Sequence, residues 1–355
     1  MSPNLVRTPL FDSPVEHGKR HGVKPGMTDI NEAVSALALA TQQSALLRGA
    51  LTSGFLAHCA GETSVEDLAR VTGLGPGRVR DLCVALRAAG VLETDNPDRY
   101  RLSTTYAPML NDGTGTHLAN QLGGAAVRAR LIEQMFTADG PDRYEDLADT
   151  DRAALAASVT LAPSTALARA AMQGVVGGIP AWNDLLAAGD VRYLELGCGL
   201  SGALLTMLQL YPRLTAVGVD LSADLLALAK VEAAALGVDD RVRYVIEDAT
   251  AYTDPEPFDV VFWSQFFFPA ATRVKALANA YERLRPGGLL IVPGLIPPGT
   301  SAAEPQTSLS VLLTQGWEIP ALTTEELCTE LTTAGFAGGT VHPSSFATAV
   351  VARRL

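Results

Sequence analysis

The chain has 355 residues, a length that suggests two domains, and 48% of them are hydrophobic, so a sizeable core is expected. Its net charge of −11 argues against a general affinity for nucleic acid or anionic membrane, both of which need basic surface. The four cysteines, Cys59, Cys83, Cys198 and Cys328, show neither metal spacing nor a disulfide framework, and no apolar run is long enough for a signal peptide core or a membrane span. A soluble, cytoplasmic protein is expected.

In chain order, residues 1–25 are rich in Pro, Gly and charge and read as a disordered arm. From Thr28 to about Cys59, Ile30, Val34, Leu37, Leu47, Leu51 and Phe55 recur at helical spacing. Thr63 and Glu66 form a capping-box signature for a short helix ending near Gly73. A second helix carries Val79, Leu82, Cys83 and Leu86 on one face and stops at Gly90. Short strands then flank the turn cluster Asp95-Asn96-Pro97-Asp98. Helix, helix and hairpin make a winged-helix pattern over residues 26–112. Through residue 110 there are eleven Lys/Arg against eleven Asp/Glu, whereas a DNA-reading module is clearly basic. A dimerisation role is the better reading of this segment.

Residues 113–188 read as an alanine-rich helical connector, with Gly-Gly breaks at 123–124 and 177–178. From 189 onwards strands alternate with helices: 191–196, 214–219, 242–247, 258–263 and 288–293 are β-rich. The helix after Ser222 is stopped by Gly237, and another places Val274, Leu277, Ala278, Tyr281 and Leu284 on one face. Such alternation implies a parallel, doubly wound sheet. A helix at about 324–334 and an antiparallel hairpin are expected to close the chain.

The loop after the first of these strands reads ELGCGLSGALL. Gly197, Gly199 and Gly202 give G-x-G-x-x-G, the spacing that brings backbone close to a ligand ahead of a helix N-terminus. Glu195 sits two positions before the first glycine, where a carboxylate repels a pyrophosphate but suits a cationic amino-acid headgroup. Asp220 ends the second strand, placed to accept from a ribose diol, and Asp248 follows the third, placed to accept from an adenine amino group. Diol, adenine edge and ammonium describe S-adenosyl-L-methionine better than NAD.

These motifs, with the turn LRPGG at 284–288 and the late hairpin, resemble the class I S-adenosylmethionine-dependent methyltransferases. With the winged-helix front end, about residues 28–355 look like the dimeric small-molecule O-methyltransferase family of specialised metabolism. The resemblance implies an α/β fold, in which an all-helical and winged-helix dimerisation domain precedes a Rossmann-like seven-stranded catalytic domain (189–355) of sheet order 3-2-1-4-5-7-6. It implies a homodimer formed through the N-terminal domain, with a small molecule or peptide as substrate. It also implies that Leu221, Ala249 and Ser264 join the cofactor site beside the acids and glycines already named.

In that family the segment after the fourth strand commonly ends in His-Asp-Trp, and the histidine deprotonates a phenol. Here the segment reads WSQFFFP, which places Phe268 at the histidine and Pro269 at the aspartate; the position of a supporting acid falls near Pro293. His17, His21, His58, His117 and His342 all lie elsewhere, with His117 the one conceivable visitor to the pocket. A general base is worth about 10²–10⁴ in rate, so its loss hurts a phenol acceptor but not an already ionised carboxylate or a reactive carbon. Carboxylate O-methylation is therefore the first expectation and C-methylation the second, with phenol or nitrogen acceptors behind them. A winged-helix DNA-binding regulator and a cofactor-binding pseudoenzyme are the readings from other classes. Substrate contacts are expected from Gln265, Phe267 and Phe268, from Trp317 in a long Pro/Gly-rich loop, and more weakly from Trp182 and Met172. The paired histidines that hold iron in some relatives are absent, so no metal is expected.

Overall fold

A computed structural model describes residues 27–294, 304–344 and 347–355. The arm expected at 1–25 and part of the loop after the fifth strand lie outside the described residues. The chain divides into two compact units, residues 1–46 and 47–355. Helix α1 (Met27–Thr52) begins in the first, and its Ile30, Val34 and Leu37 are exposed.

The second unit opens with β1 (Thr63–Ser64), α2 (Val65–Thr72), α3 (Pro76–Ala88), β2 (Leu92–Asn96) and β3 (Arg99–Leu102). The three strands form one sheet of order β1-β3-β2, and Val65, Leu68, Val79, Cys83, Leu86, Tyr100 and Leu102 are buried in this region. The cap of α2 lies one residue later than expected: the Ser64 hydroxyl, not that of Thr63, accepts from the Asp67 N–H at 3.0 Å. The connector consists of α4 (Thr114–Gln134), α5 (Asp149–Ser158), α6 (Ala166–Gly177) and α7 (Pro180–Ala188). Gly123-Gly124 does not break α4. A Cβ on Gly124 would overlap the Ser158 side chain, so the absent side chain lets α4 and α5 pack closely.

The remaining elements are β4 (Val191–Leu196), α8 (Gly202–Leu210), β5 (Leu214–Asp220), α9 (Ala223–Ala235), β6 (Val242–Ile246), β7 (Phe258–Trp263), α10 (Ala270–Arg283), β8 (Leu284–Pro293), α11 (Pro305–Gly316), α12 (Thr324–Thr333), β9 (Phe336–Pro343) and β10 (Thr348–Arg354). The sheet order is β6-β5-β4-β7-β8-β10-β9, which is the expected 3-2-1-4-5-7-6. Strands β6, β5, β4, β7 and β8 run parallel; β10 pairs antiparallel with both β8 and β9. Period-two alternation feeds both faces: Leu194, Val261 and Val292 pack with α10 and α12 residues such as Leu277 and Leu331, while Tyr193, Val260 and Ile291 pack with Trp182, Leu204 and Leu208.

Two local expectations change. Val274 is 74% exposed, and α10 buries Arg273, Ala276, Leu277 and Ala280 instead, because Arg273 turns inward to an acid on α12. The loop expected to lack structure after β8 contains α11, whose Leu313 packs with Val127, Leu131 and Leu155 of the connector.

Candidate active site

Parallel strands leave their carboxyl ends along one edge, and there the chain encloses a cavity of about 1170 Å³. Glu195, Gly197, Gly199, Gly202, Asp220, Leu221, Asp248, Ala249 and Ser264 all line it. Register explains the convergence: Glu195 pairs with Gly218 of β5 and Phe262 of β7, and Asp220 lies opposite Ile246 of β6.

The glycine turn is built for close approach. Gly197 has φ 73°, and a Cβ there would stand 2.9 Å from the Phe268 ring; a Cβ on Gly202 would overlap the Thr160 side chain. Ser201 takes the left-handed conformation (φ 56°) that L-residues avoid, and its hydroxyl is buried. Asp220 braces the turn, accepting from the Gly199 N–H at 2.7 Å and from the Ser222 N–H at 2.9 Å. Asp248 accepts from the Thr250 N–H at 2.8 Å.

Electrostatics mark the same end. Glu195 is buried, and among the described residues one of its carboxylate oxygens has no partner. Burial, and then the charge of Asp220, push its carboxyl up to about 8, against a hydrogen bond from the Leu204 N–H. Burial likewise raises Asp220. The two carboxyl groups lie close together with no ion-pair partner for either among the described residues, a setting that favours a cationic group beside them.

The cavity also has an aromatic wall, which reaches the glycine turn at Phe268. Phe266, Phe267, Phe268, Phe262, Trp317 and Tyr144 face it, with Met172 and Trp182 on the helical side. Phe268 stands edge-on to Trp263 at 5.4 Å. Tyr144 lies 4.5 Å from Phe267 and edge-on to Trp317 at 5.9 Å, and the Trp317 indole donates to the Asp142 carbonyl at 2.9 Å. Tyr144 and the 139–146 segment bear no motif, and sequence reading missed them. Arg152 holds that segment in place, donating to the Leu147 carbonyl at 2.9 Å and to Asp224 at 3.1 Å.

Gln265 is a correction. It does not line the cavity and is only 3% exposed, because its amide is spent inside the fold. It donates to the Pro293 carbonyl at 2.6 Å and accepts from Arg273 at 2.8 Å. Arg273 in turn pairs with Glu330 at 2.6 Å and stacks 4.7 Å over Trp263. Among the described residues no histidine lines the cavity either. His117 is half-buried off its wall, its Nδ1 without a partner among the described residues, and His342 bonds Gly178 and Thr340.

The wall is acidic at its rim, with Asp139, Asp142, Glu145, Asp146, Glu247 and Glu318. Among the described residues its single basic member is Arg143, whose side chain is 73% exposed and faces Glu145 at 3.9 Å. No group of three or more His, Cys, Asp or Glu among the described residues could hold a metal ion.

A seven-stranded sheet of this order, with a glycine turn and strand-end acids, defines the Rossmann-like methyltransferase fold. Residues 194–288 match the methyltransferase domain family. Over 112 residues the chain is 35% identical to the demethylmenaquinone methyltransferase of Thermus thermophilus, covering 31% of this chain and 50% of that protein. The chain spans half or less of the length of the curated relatives it matches. Among solved structures it is similar to an O-methyltransferase family protein from Burkholderia thailandensis, with TM-score 0.68 and 18% identity over 94% of this chain and 99% of that one. It is also similar to human N-acetylserotonin methyltransferase in complex with its methyl donor, with TM-score 0.69 and 16% identity over 94% and 99% of the two chains. Residues 194–288 thus match a methyltransferase domain, and the chain shares its fold with these two solved structures.

Proposed function

We propose that the protein is an S-adenosyl-L-methionine-dependent methyltransferase acting on a small molecule of specialised metabolism. The observation that carries this reading is the buried Glu195 carboxyl, one oxygen of which has no hydrogen-bond partner among the described residues, beside Asp220 and a glycine turn too tight for a Cβ. The residues present fit the cofactor. Glu195 would face the amino-acid end, Asp220 the ribose diol and Asp248 the adenine amino group. The cofactor supplies an electrophilic methyl group on a positively charged sulfur.

For the acceptor we favour an electron-rich carbon over the carboxylate that the sequence ranked first. An anionic acceptor needs a cation or several donors to hold it. The described wall offers only an exposed, acid-facing arginine. Its aromatic side instead suits a flat, neutral ring, and holding that ring in line with the methyl group can supply about 7–11 kcal/mol without any base. Carboxylate O-methylation remains the second reading, supported by the absence of histidine from the described wall. The exposed Ile30, Val34 and Leu37 of α1 support a homodimer formed through the N-terminal region. Titration calorimetry with S-adenosylmethionine tests the cofactor assignment: single-site binding is expected, and absence of binding would overturn it.

A further inference from the structure

Resting on that reading, we propose that Arg152 is a positioning residue for methyl transfer. It ties the segment that carries Tyr144 to the helix that follows Asp220, and so holds the aromatic wall in register with the cofactor end.

Residues 139–146 line the cavity, yet among the described residues none from 138 to 146 is buried, so apolar packing does little to place them. Polar ties place them instead. At one end the Gln134 amide donates to the Asp142 carboxylate at 2.9 Å and accepts from the Asp142 N–H at 3.1 Å, while the Trp317 indole reaches the Asp142 carbonyl. At the other end a single guanidinium holds the backbone. Nη1 of Arg152 donates to the carbonyls of Leu147 at 2.9 Å, Glu145 at 3.0 Å and Tyr144 at 3.4 Å. Its Nη2 donates to Asp149 at 2.7 Å and its Nε to Asp224 at 3.1 Å.

The bond to Asp224 gives this post its second attachment. Arg152 belongs to α5 of the connector, whereas Asp224 lies in the first turn of α9, just after Asp220 ends β5. Tyr144 stands between the two regions. Its ring is 4.5 Å from that of Phe267, and burial, then the charge of Asp220, push its hydroxyl above the ordinary phenol value. Arg152 does not line the cavity, so it acts through Tyr144.

The choice of arginine fits this role better than simple packing. Its side chain is 9% exposed, and burying a cation carries a desolvation cost that an apolar anchor avoids. A planar fork of donors, however, grips two separate elements in one fixed geometry. Transfer in line with a methyl group rewards such fixity, because misplacing a reacting group by about 1 Å can cost about 10²-fold in rate.

The test compares Arg152→Lys and Asp224→Asn with wild type. Lysine keeps the charge but lacks the fork, and asparagine keeps the shape but weakens the grip on α9. Four readouts are used: melting temperature, calorimetric affinity for S-adenosylmethionine, hydrogen exchange with and without it, and label transfer from methyl-labelled S-adenosylmethionine in an extract of the source organism. Both variants should bind the cofactor as wild type does, while transfer at saturating cofactor falls by about 10–10²-fold. Exchange should rise by about tenfold in 139–147, as loss of a hydrogen bond to a charged group entails, and stay at the wild-type rate elsewhere. Cofactor should protect 139–147 in wild type and not in the variants. Should Arg152→Lys fail to fold, Asp224→Asn carries the same readouts. Equal cofactor-induced protection of 139–147 in wild type and variants overturns the proposal, as does a loss of melting temperature with exchange raised evenly throughout; both leave the methyltransferase reading intact. If wild type binds no cofactor, the reading itself fails and the proposal with it.

Discussion

Replacing Glu195 with glutamine separates the charge at the cofactor end from its shape. In the unliganded protein, burial and Asp220 move the Glu195 carboxyl from 4.5 up to about 8. Fully developed, such a displacement is worth on the order of 4–5 kcal/mol between the protonated and ionised forms. A raised folded-state value means that the native state holds a proton the unfolded chain has released. Stability from this group is therefore complete below about pH 4.5, falls as pH rises, and is lost once pH passes about 8. The Glu195→Gln side chain would keep the hydrogen bond from Leu204 and lose the ionisation. The unliganded variant should be more stable than wild type at pH 8, by a few kcal/mol at most, and the difference should shrink towards zero at pH 5. At roughly 2–4 °C per kcal/mol, differential scanning calorimetry across that window reads it easily. Cofactor binding should show the converse: wild type should release a proton at pH 7, measured in buffers of differing ionisation enthalpy, and the variant should bind more weakly without release. A stability difference that does not change between pH 5 and pH 8 would refute the reasoning.

Asp220→Ala removes the brace on the Gly199 and Ser222 amides as well as the proposed diol acceptor, so cofactor affinity should fall by about two orders of magnitude, read by calorimetry. Arg273→Met strands Glu330 and Gln265 and should destabilise the fold by about 3 kcal/mol in chemical denaturation, because breaking a buried pair costs more than the pair is worth. Serine in place of Ile30, Val34 and Leu37 should leave the circular dichroism of α1 unchanged and convert a dimer to a monomer in light scattering; an unaltered mass would refute the assigned interface.

The cofactor end was legible in the sequence because its chemistry is local. A tight turn requires glycine, and the register of parallel strands lines up Glu195, Asp220 and the loop after β6 without help from distant residues. The acceptor end was legible only in part. Phe267 and Phe268 face the cavity as expected, but Gln265, their neighbour, is captured by Arg273 and by the Pro293 carbonyl, 28 residues away. Tyr144 comes from the connector, held over the site by Arg152, and no spacing rule predicts a partnership between such separated segments. The buried face of α10 was misassigned for a related reason. Alanines on both sides leave the apolar stripe ambiguous, and an ion pair to α12 decides it.

The central claim is methyl transfer to carbon without a histidine base. It is tested most directly by incubating the purified protein with S-adenosylmethionine labelled in its methyl group and an extract of the source organism, then locating the label by nuclear magnetic resonance. A carbon-bound methyl group that survives mild base is the expected product. Label released as methanol would place the methyl group on a carboxylate oxygen and contradict the reading of the aromatic wall.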